Sequence, residues 1–313
     1  MSGNGLSSFR SLDLTVRRRL DGMLHGDHAG LSLGPGTEAE ELTRYAPGHD
    51  VRRIDWNVTA RAGAPQVWLT RAERELDTWL LLDRTPSMAF GTVEQEKSDL
   101  AATVAGAVGL LTDAPGNRLG VATLSAAGLT WSRPLAGRVV AHHLTRLPEP
   151  ARDGPSPVDL AAALRTLDTR HRRPGLRVVV SDLLDPGGAY ERPFTWEPAL
   201  RRLATRHDVI VVEVLDPREL ELPAVGQLVL VDPESGRQRD VFTGDRRTRT
   251  AYAEAAAAHR RATAAALHAA GAAHVQVRTD RDWVSDLARF VRSRRRAPLA
   301  RAGARRGTPR SAA

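Results

Sequence analysis

Residues 78–92 read TWLLLDRTPSMAFGT. A short apolar run ends abruptly at Asp83, and hydroxyls follow two and four residues later, at Thr85 and Ser87. An apolar run of this length bounded by turn-forming residues predicts a buried strand. The pattern repeats outward from it. Leu176–Val180 is a continuous run ending at Ser181–Asp182, Asp208–Val214 is another, and His274–Arg278 is a last strand. Leu119–Leu124 is a strand with Leu129–Trp131 pairing across an AAG turn, and Gln227–Val231 with Gln238–Phe242 flanks PESG as a hairpin. Between the strands, Lys97–Thr112, Arg138–Leu147, Val158–Leu167, Trp196–Thr205, Arg246–Ala270 and Trp283–Val291 read as helices. Fully apolar strands alternating with helices predict an α/β fold with a doubly wound, mostly parallel sheet covered on both faces. Loops at the carboxyl ends of such strands form the binding crevice, which puts Asp83 and Asp182 at the functional edge.

The spacing Asp83-x-Thr85-x-Ser87 can turn both hydroxyls toward one point. Hydroxyl and carboxylate oxygens are hard ligands suited to Mg²⁺, Ca²⁺ or Mn²⁺. Asp182, from another strand end, can add a second carboxylate. The same hydroxyls can equally serve as helix caps, a common role for Ser and Thr. The residues alone leave both readings open.

The chain has 313 residues and 42% hydrophobic content, enough for a sizeable core. It has no cysteine, which excludes disulfides, thiolate zinc sites and cysteine nucleophiles. No signal peptide or membrane-spanning stretch is visible, so a soluble, cytoplasmic protein is expected. The net charge of +8 equals the eight arginines of residues 292–313, so the rest of the chain is neutral. That Ala/Gly/Pro/Arg tail is expected to be disordered, with at most weak contact to acidic surfaces. Lys97 is the only lysine, and no Gly-rich phosphate loop precedes it. The expected organisation is an N-terminal helix at 12–27 within a turn-and-strand extension over 1–75, the main domain over 76–291 with a hairpin insertion near 225–245, and the tail.

Residues 44–61, RYAPGHDVRRIDWNVTAR, decide the family resemblance. They are similar to the signature of a bacterial family called domain of unknown function 58; Ser87–Gly91 and Arg177–Asp182 fit as well. On residues alone, Arg52, Arg53, Asp55 and Arg61 read as a charge network that Trp56 anchors to the core. The D-x-T-x-S segment resembles the metal-ion-dependent adhesion site of the von Willebrand factor A fold. That resemblance implies a von Willebrand factor A-like domain. In it Thr85 and Ser87 bind Mg²⁺ (or Ca²⁺ or Mn²⁺) directly, Asp83 and Asp182 act largely through water, and a partner's carboxylate completes the ion. One departure stands out. Val158 occupies the place of the family's threonine ligand and cannot ligate, with Ser156 the nearest hydroxyl.

The resemblance implies a protein-binding adaptor, not an enzyme, that works beside a MoxR-type AAA+ ATPase in assembly or a chaperone-like role. Two alternatives remain. One is a Mg²⁺-dependent hydrolase at the same site. The other is a nucleic-acid or acidic-surface binder acting through the tail.

Overall fold

The computed structural model describes residues 12–14, 40–45, 51, 54–70, 77–93, 95–114, 116–150, 158–184, 190–231 and 237–296. In the N-terminal region β1 (Glu40–Arg44) pairs antiparallel with β2 (Gln66–Thr70), and α1 (Trp56–Ala62) lies between them in sequence. The main sheet has six strands: β3 (Asp77–Arg84), β4 (Arg118–Ser125), β5 (Gly128–Trp131), β6 (Leu176–Ser181), β7 (Asp208–Leu215) and β10 (Ala273–Arg278). Their order is β10-β7-β6-β3-β4-β5, parallel throughout except for β5, which returns antiparallel on β4. This is the expected mixed α/β fold with a mostly parallel sheet. The hairpin β8 (Gln227–Val231) and β9 (Gln238–Phe242) stands apart as a two-stranded sheet.

Helices cover both faces. α2 (Lys97–Leu111), α3 (Gly137–Leu144) and α7 (Trp283–Arg296) share a core with Leu80, Leu82, Val178, Val180, Val212 and Val214. α4 (Leu160–Arg170), α5 (Glu197–Arg206) and α6 (Arg246–Ala270) share another with Trp79, Leu81, Val179, Val209 and Val211. Alternate residues of one strand thus serve opposite layers, as the period of two requires. α2 and α3 cross closely at two glycines. A Cβ on Gly137 would sit 2.0 Å from the Gly109 carbonyl oxygen, so neither position has room for a side chain there.

Some expectations shift. Residues 12–14 are helical, with Leu12 buried against α2, and the rest of the expected helix to residue 27 lies outside the described residues. α7 runs to Arg296, and Arg294 pairs with Asp208 at 2.7 Å. Five residues expected in the tail are therefore helical, and residues 297–313 lie outside the description. Among the described residues no helix is long and apolar enough to cross a membrane.

Trp56 is a correction. Its side chain is 69% exposed and anchors nothing to the core. The reason is the helix that begins there. The Asp55 carboxylate accepts the amides of Asn57 (2.9 Å) and Val58 (3.0 Å), capping α1, and Gly63 ends it at φ 67°. Arg52 and Arg53 lie outside the described residues. Trp56→Ala should accordingly change the unfolding free energy by less than ~0.5 kcal/mol, while Asp55→Ala should cost about 1 kcal/mol. Urea denaturation of the two variants distinguishes a cap from an anchor.

Candidate functional site

The strand alternation that sorts the core also builds the site. On β3, Trp79 and Leu81 face the α4–α6 layer, and Asp83 continues that side. On β6, Val179 faces the same layer and Ser181 continues it; Val178 and Val180 face the other layer, and Asp182 follows on their side. The register pairs Leu82 with Val180, which brings Asp83 beside Ser181. The Ser181 hydroxyl donates to Asp83 Oδ2 at 2.6 Å. Asp182 points toward the α2 layer, and Lys97, the first residue of α2, meets it there.

The DRTPS segment folds back on its own carboxylate. Asp83 Oδ1 accepts both the Thr85 amide at 3.0 Å and the Thr85 hydroxyl at 2.8 Å. The Thr85 and Ser87 hydroxyl oxygens are 3.1 Å apart. Pro86–Met88 forms one 3₁₀ turn whose cap position, Thr85, makes no side-chain capping bond, and α2 starts only at Lys97. The two hydroxyls therefore do not cap a helix. Asp83, Thr85, Ser87 and Asp182 are all buried, and a hydrogen bond from Ser87 helps to hold Asp182 in its charged form. All four expected residues come together.

Lys97, Ser181, Asp216 and Glu219 complete the rim; the sequence marked Lys97 as the single lysine and Ser181 as a strand end, and none of the four as a site residue. The fully buried Lys97 ammonium donates to Asp182 Oδ2 at 2.8 Å and to Glu219 Oε1. Glu219 Oε2 accepts the Asp216 amide at 3.0 Å. Asp216 accepts from the hydroxyls of Thr92 (2.6 Å) and Thr279 (2.9 Å), which ties three loops together. One signal was available: a single lysine in a chain with 45 basic residues. Val158, in the family's threonine position, packs against the α4–α6 core, and Asp159 caps α4 through the Ala162 amide at 2.6 Å. Ser156 lies outside the described residues.

The two carboxylates hold their protons with different strength. Burial, together with the nearby charge of Asp182, raises the Asp83 carboxyl to about 6, although Ser181 and Thr85 hydrogen bonds oppose the shift. Burial also pushes Asp182 up, but the Lys97 ammonium and its hydrogen bond outweigh that and hold Asp182 below the ordinary carboxylate range. Burial would lower the Lys97 ammonium; its two carboxylate partners instead hold it well above its usual value. Among the described residues Asp83 has no ion-pair partner. Leu183, directly after Asp182, adopts a left-handed φ of 59°, an uncommon and strained conformation for a branched side chain.

A hard divalent ion fits this donor chemistry. Two hydroxyl oxygens converge, and a buried carboxylate beside them has no cation among the described residues. Among the described residues no group of three or more His, Cys, Asp or Glu could hold a metal. An ion here would have to use the Thr85 and Ser87 hydroxyls with Asp83 and Asp182.

Residues 41–262 match the profile of the family described as protein of unknown function DUF58. The chain belongs to this family. An uncharacterized protein of Mycobacterium tuberculosis is 46% identical over 296 residues, covering 94% of this chain and 91% of the relative. A counterpart in Mycobacterium bovis matches equally. Among solved structures, BatB from Bacteroides thetaiotaomicron aligns with a TM-score of 0.43 at 13% identity, over 70% of this chain and 98% of BatB. The SpRpn10 VWA domain aligns with a TM-score of 0.33 at 14% identity, over 68% and 93%.

Asp83 contributes a pH dependence to the stability of this DUF58 protein. Its folded carboxyl is raised, so the native state holds that proton more tightly than the unfolded chain does. Ionisation between 3.8 and about 6 therefore costs folded stability, and the cost is complete above about 6. Asp83→Asn should stabilise the metal-free protein at neutral pH by on the order of 1–3 kcal/mol. The gain should shrink through the 3.8-to-6 window and vanish below it. Thermal unfolding in EDTA across that range measures it, and a variant less stable than wild type at neutral pH would contradict the assignment.

Proposed function

We propose that this DUF58 protein is a binding module that holds a divalent ion at Asp83, Thr85, Ser87 and Asp182 and uses it to capture an acidic side chain of a partner protein. The observation that carries the reading is the meeting of the Thr85 and Ser87 hydroxyls, 3.1 Å apart, beside a carboxylate with no ion-pair partner among the described residues. Mg²⁺ prefers such oxygen donors and keeps some coordination positions for water or for an incoming ligand. The ion would supply electrostatic attraction; the protein's residues bind and orient it. Ser181 and the Thr85 amide fix the Asp83 carboxylate, and Lys97 fixes Asp182.

A second observation supports a protein partner. The β8–β9 hairpin exposes Val229 (50%), Val231 (54%) and Phe242 (64%), and its base is held by Thr243 bonding to the Gly226 carbonyl at 2.9 Å. A two-stranded hairpin that shows large apolar side chains to solvent is a common feature of interaction surfaces. The hairpin follows closely on the turn that carries Glu219, so it springs from the chain segment that builds the rim. The resemblance carried by residues 44–61 makes a MoxR-type AAA+ ATPase the partner to test first, with the nucleotide chemistry on its side.

Pull-down of such an ATPase from the source organism should succeed with MgCl₂ and fail with EDTA. Asp83→Ala and Thr85→Ala should each weaken capture by at least about tenfold, the order expected for loss of a charge-assisted contact. Equal capture with EDTA would sink the metal role. Val229→Ser combined with Phe242→Ser should weaken capture while leaving Mg²⁺ affinity unchanged by calorimetry, because the hairpin does not touch the ion's donors.

A further inference from the structure

Of the 45 lysines and arginines of this chain, every one except Lys97 is an arginine. The one ammonium is fully buried, at the first position of α2. It bonds to Asp182 from the loop after β6 and to Glu219 from the turn after β7, and its nitrogen lies 5.9 Å from the Phe90 ring centroid. An ammonium is a compact point charge with rotatable donors, whereas a guanidinium is a wide planar fork. The space between two carboxylates and a ring admits the former.

Its charge matters as much as its shape. Asp182 and Glu219 share the Lys97 ammonium, and the charge of Asp182 acts on Asp83; with all three carboxylates ionised, Lys97 reduces their summed charge from three negative to two, which a divalent ion would balance. Resting on the metal-binding reading, we propose that Lys97 is a positioning residue that aims Asp182 and sets the site's charge, so that a bound divalent ion still attracts a partner's carboxylate. Without Lys97 the cluster holds the ion more tightly but leaves a negative site that repels the incoming acid. Removal of Lys97 should therefore move two affinities in opposite directions. A purely structural lysine would weaken both, because a misplaced Asp182 holds the ion less well.

The test uses the full chain, with Mn²⁺ as the metal probe and acetate as the carboxylate probe. Mn²⁺ binding is read by electron paramagnetic resonance. Acetate binding to the loaded protein is read by water-proton relaxation. Lys97→Met should tighten Mn²⁺ binding by about tenfold or more and weaken acetate binding by a similar factor, since one unit charge in a partly desolvated cluster acts on both. The double variant Lys97→Met with Glu219→Gln restores the net charge and should return both affinities to within about threefold of wild type. Glu219→Gln alone keeps the lysine and should weaken Mn²⁺ by about tenfold, which decides the matter even if Lys97→Met fails to fold. Weaker Mn²⁺ binding in Lys97→Met, no rescue by the double variant, or an unchanged Mn²⁺ affinity in Glu219→Gln overturns the inference alone. Absence of Mn²⁺ binding by the wild-type chain overturns the metal reading and this inference with it.

Discussion

An ammonium with no access to water must be compensated where it stands, and the rim of the sheet is arranged around that requirement. Leaving a buried charge without its partner costs several kcal/mol. Lys97 is at the start of α2, so its two acceptors bind that helix to the loops after β6 and β7. The compensation extends outward. Glu219 is held by the Asp216 amide, and Asp216 gathers Thr92 and Thr279. Four loops that meet only in three dimensions thus form one hydrogen-bonded set, and buried sets of this kind favour a single arrangement when every member is satisfied. The DRTPS segment is positioned against this set by Ser181 and Asp182.

The fold was legible because the strands are buried on both faces and so read as unbroken apolar runs. The hairpin Gln227–Val231 with Gln238–Phe242 and the helix Arg246–Ala270 match their expected bounds, and Lys97–Leu111 ends one residue short of the expected Thr112. α1 was missed because WNVTARA has no apolar periodicity and buries no residue, so its one strong signal was the capping Asp55. Trp56 misled by residue type alone; nothing in its neighbours said that the ring faces solvent. In the site, Asp83, Thr85 and Ser87 were legible as neighbours in sequence, and Asp182 as another strand end. Lys97 was not, because its acceptors lie 85 and 122 residues away, and local pattern carries no information at that separation.

The site works against the stability of the fold that holds it. Asp83 ionises against burial and against Asp182. Leu183 takes a left-handed backbone conformation beside Asp182 while its side chain stays buried. Strain and opposed charges of this kind persist only where the surrounding structure over-determines them. Here the surroundings do so: the flanking residues of β3 and β6 are almost wholly buried, and the parallel register fixes them relative to each other.

Val158 bears on the same site. With Val158 packed into the core, the ion proposed above would find, among the described residues, two hydroxyls and two carboxylates, one of which is already paired with Lys97. A hard cation with fewer protein oxygens keeps more positions for water, and those are the positions a visiting carboxylate can take. Under the metal-binding proposal, fewer ligands and a tethered positive charge would both weaken the grip on the ion and both strengthen its pull on an acid from outside. Val158 and Lys97 lie on different elements and make separate contacts, yet under that proposal each would shift the balance from retaining a metal toward presenting one.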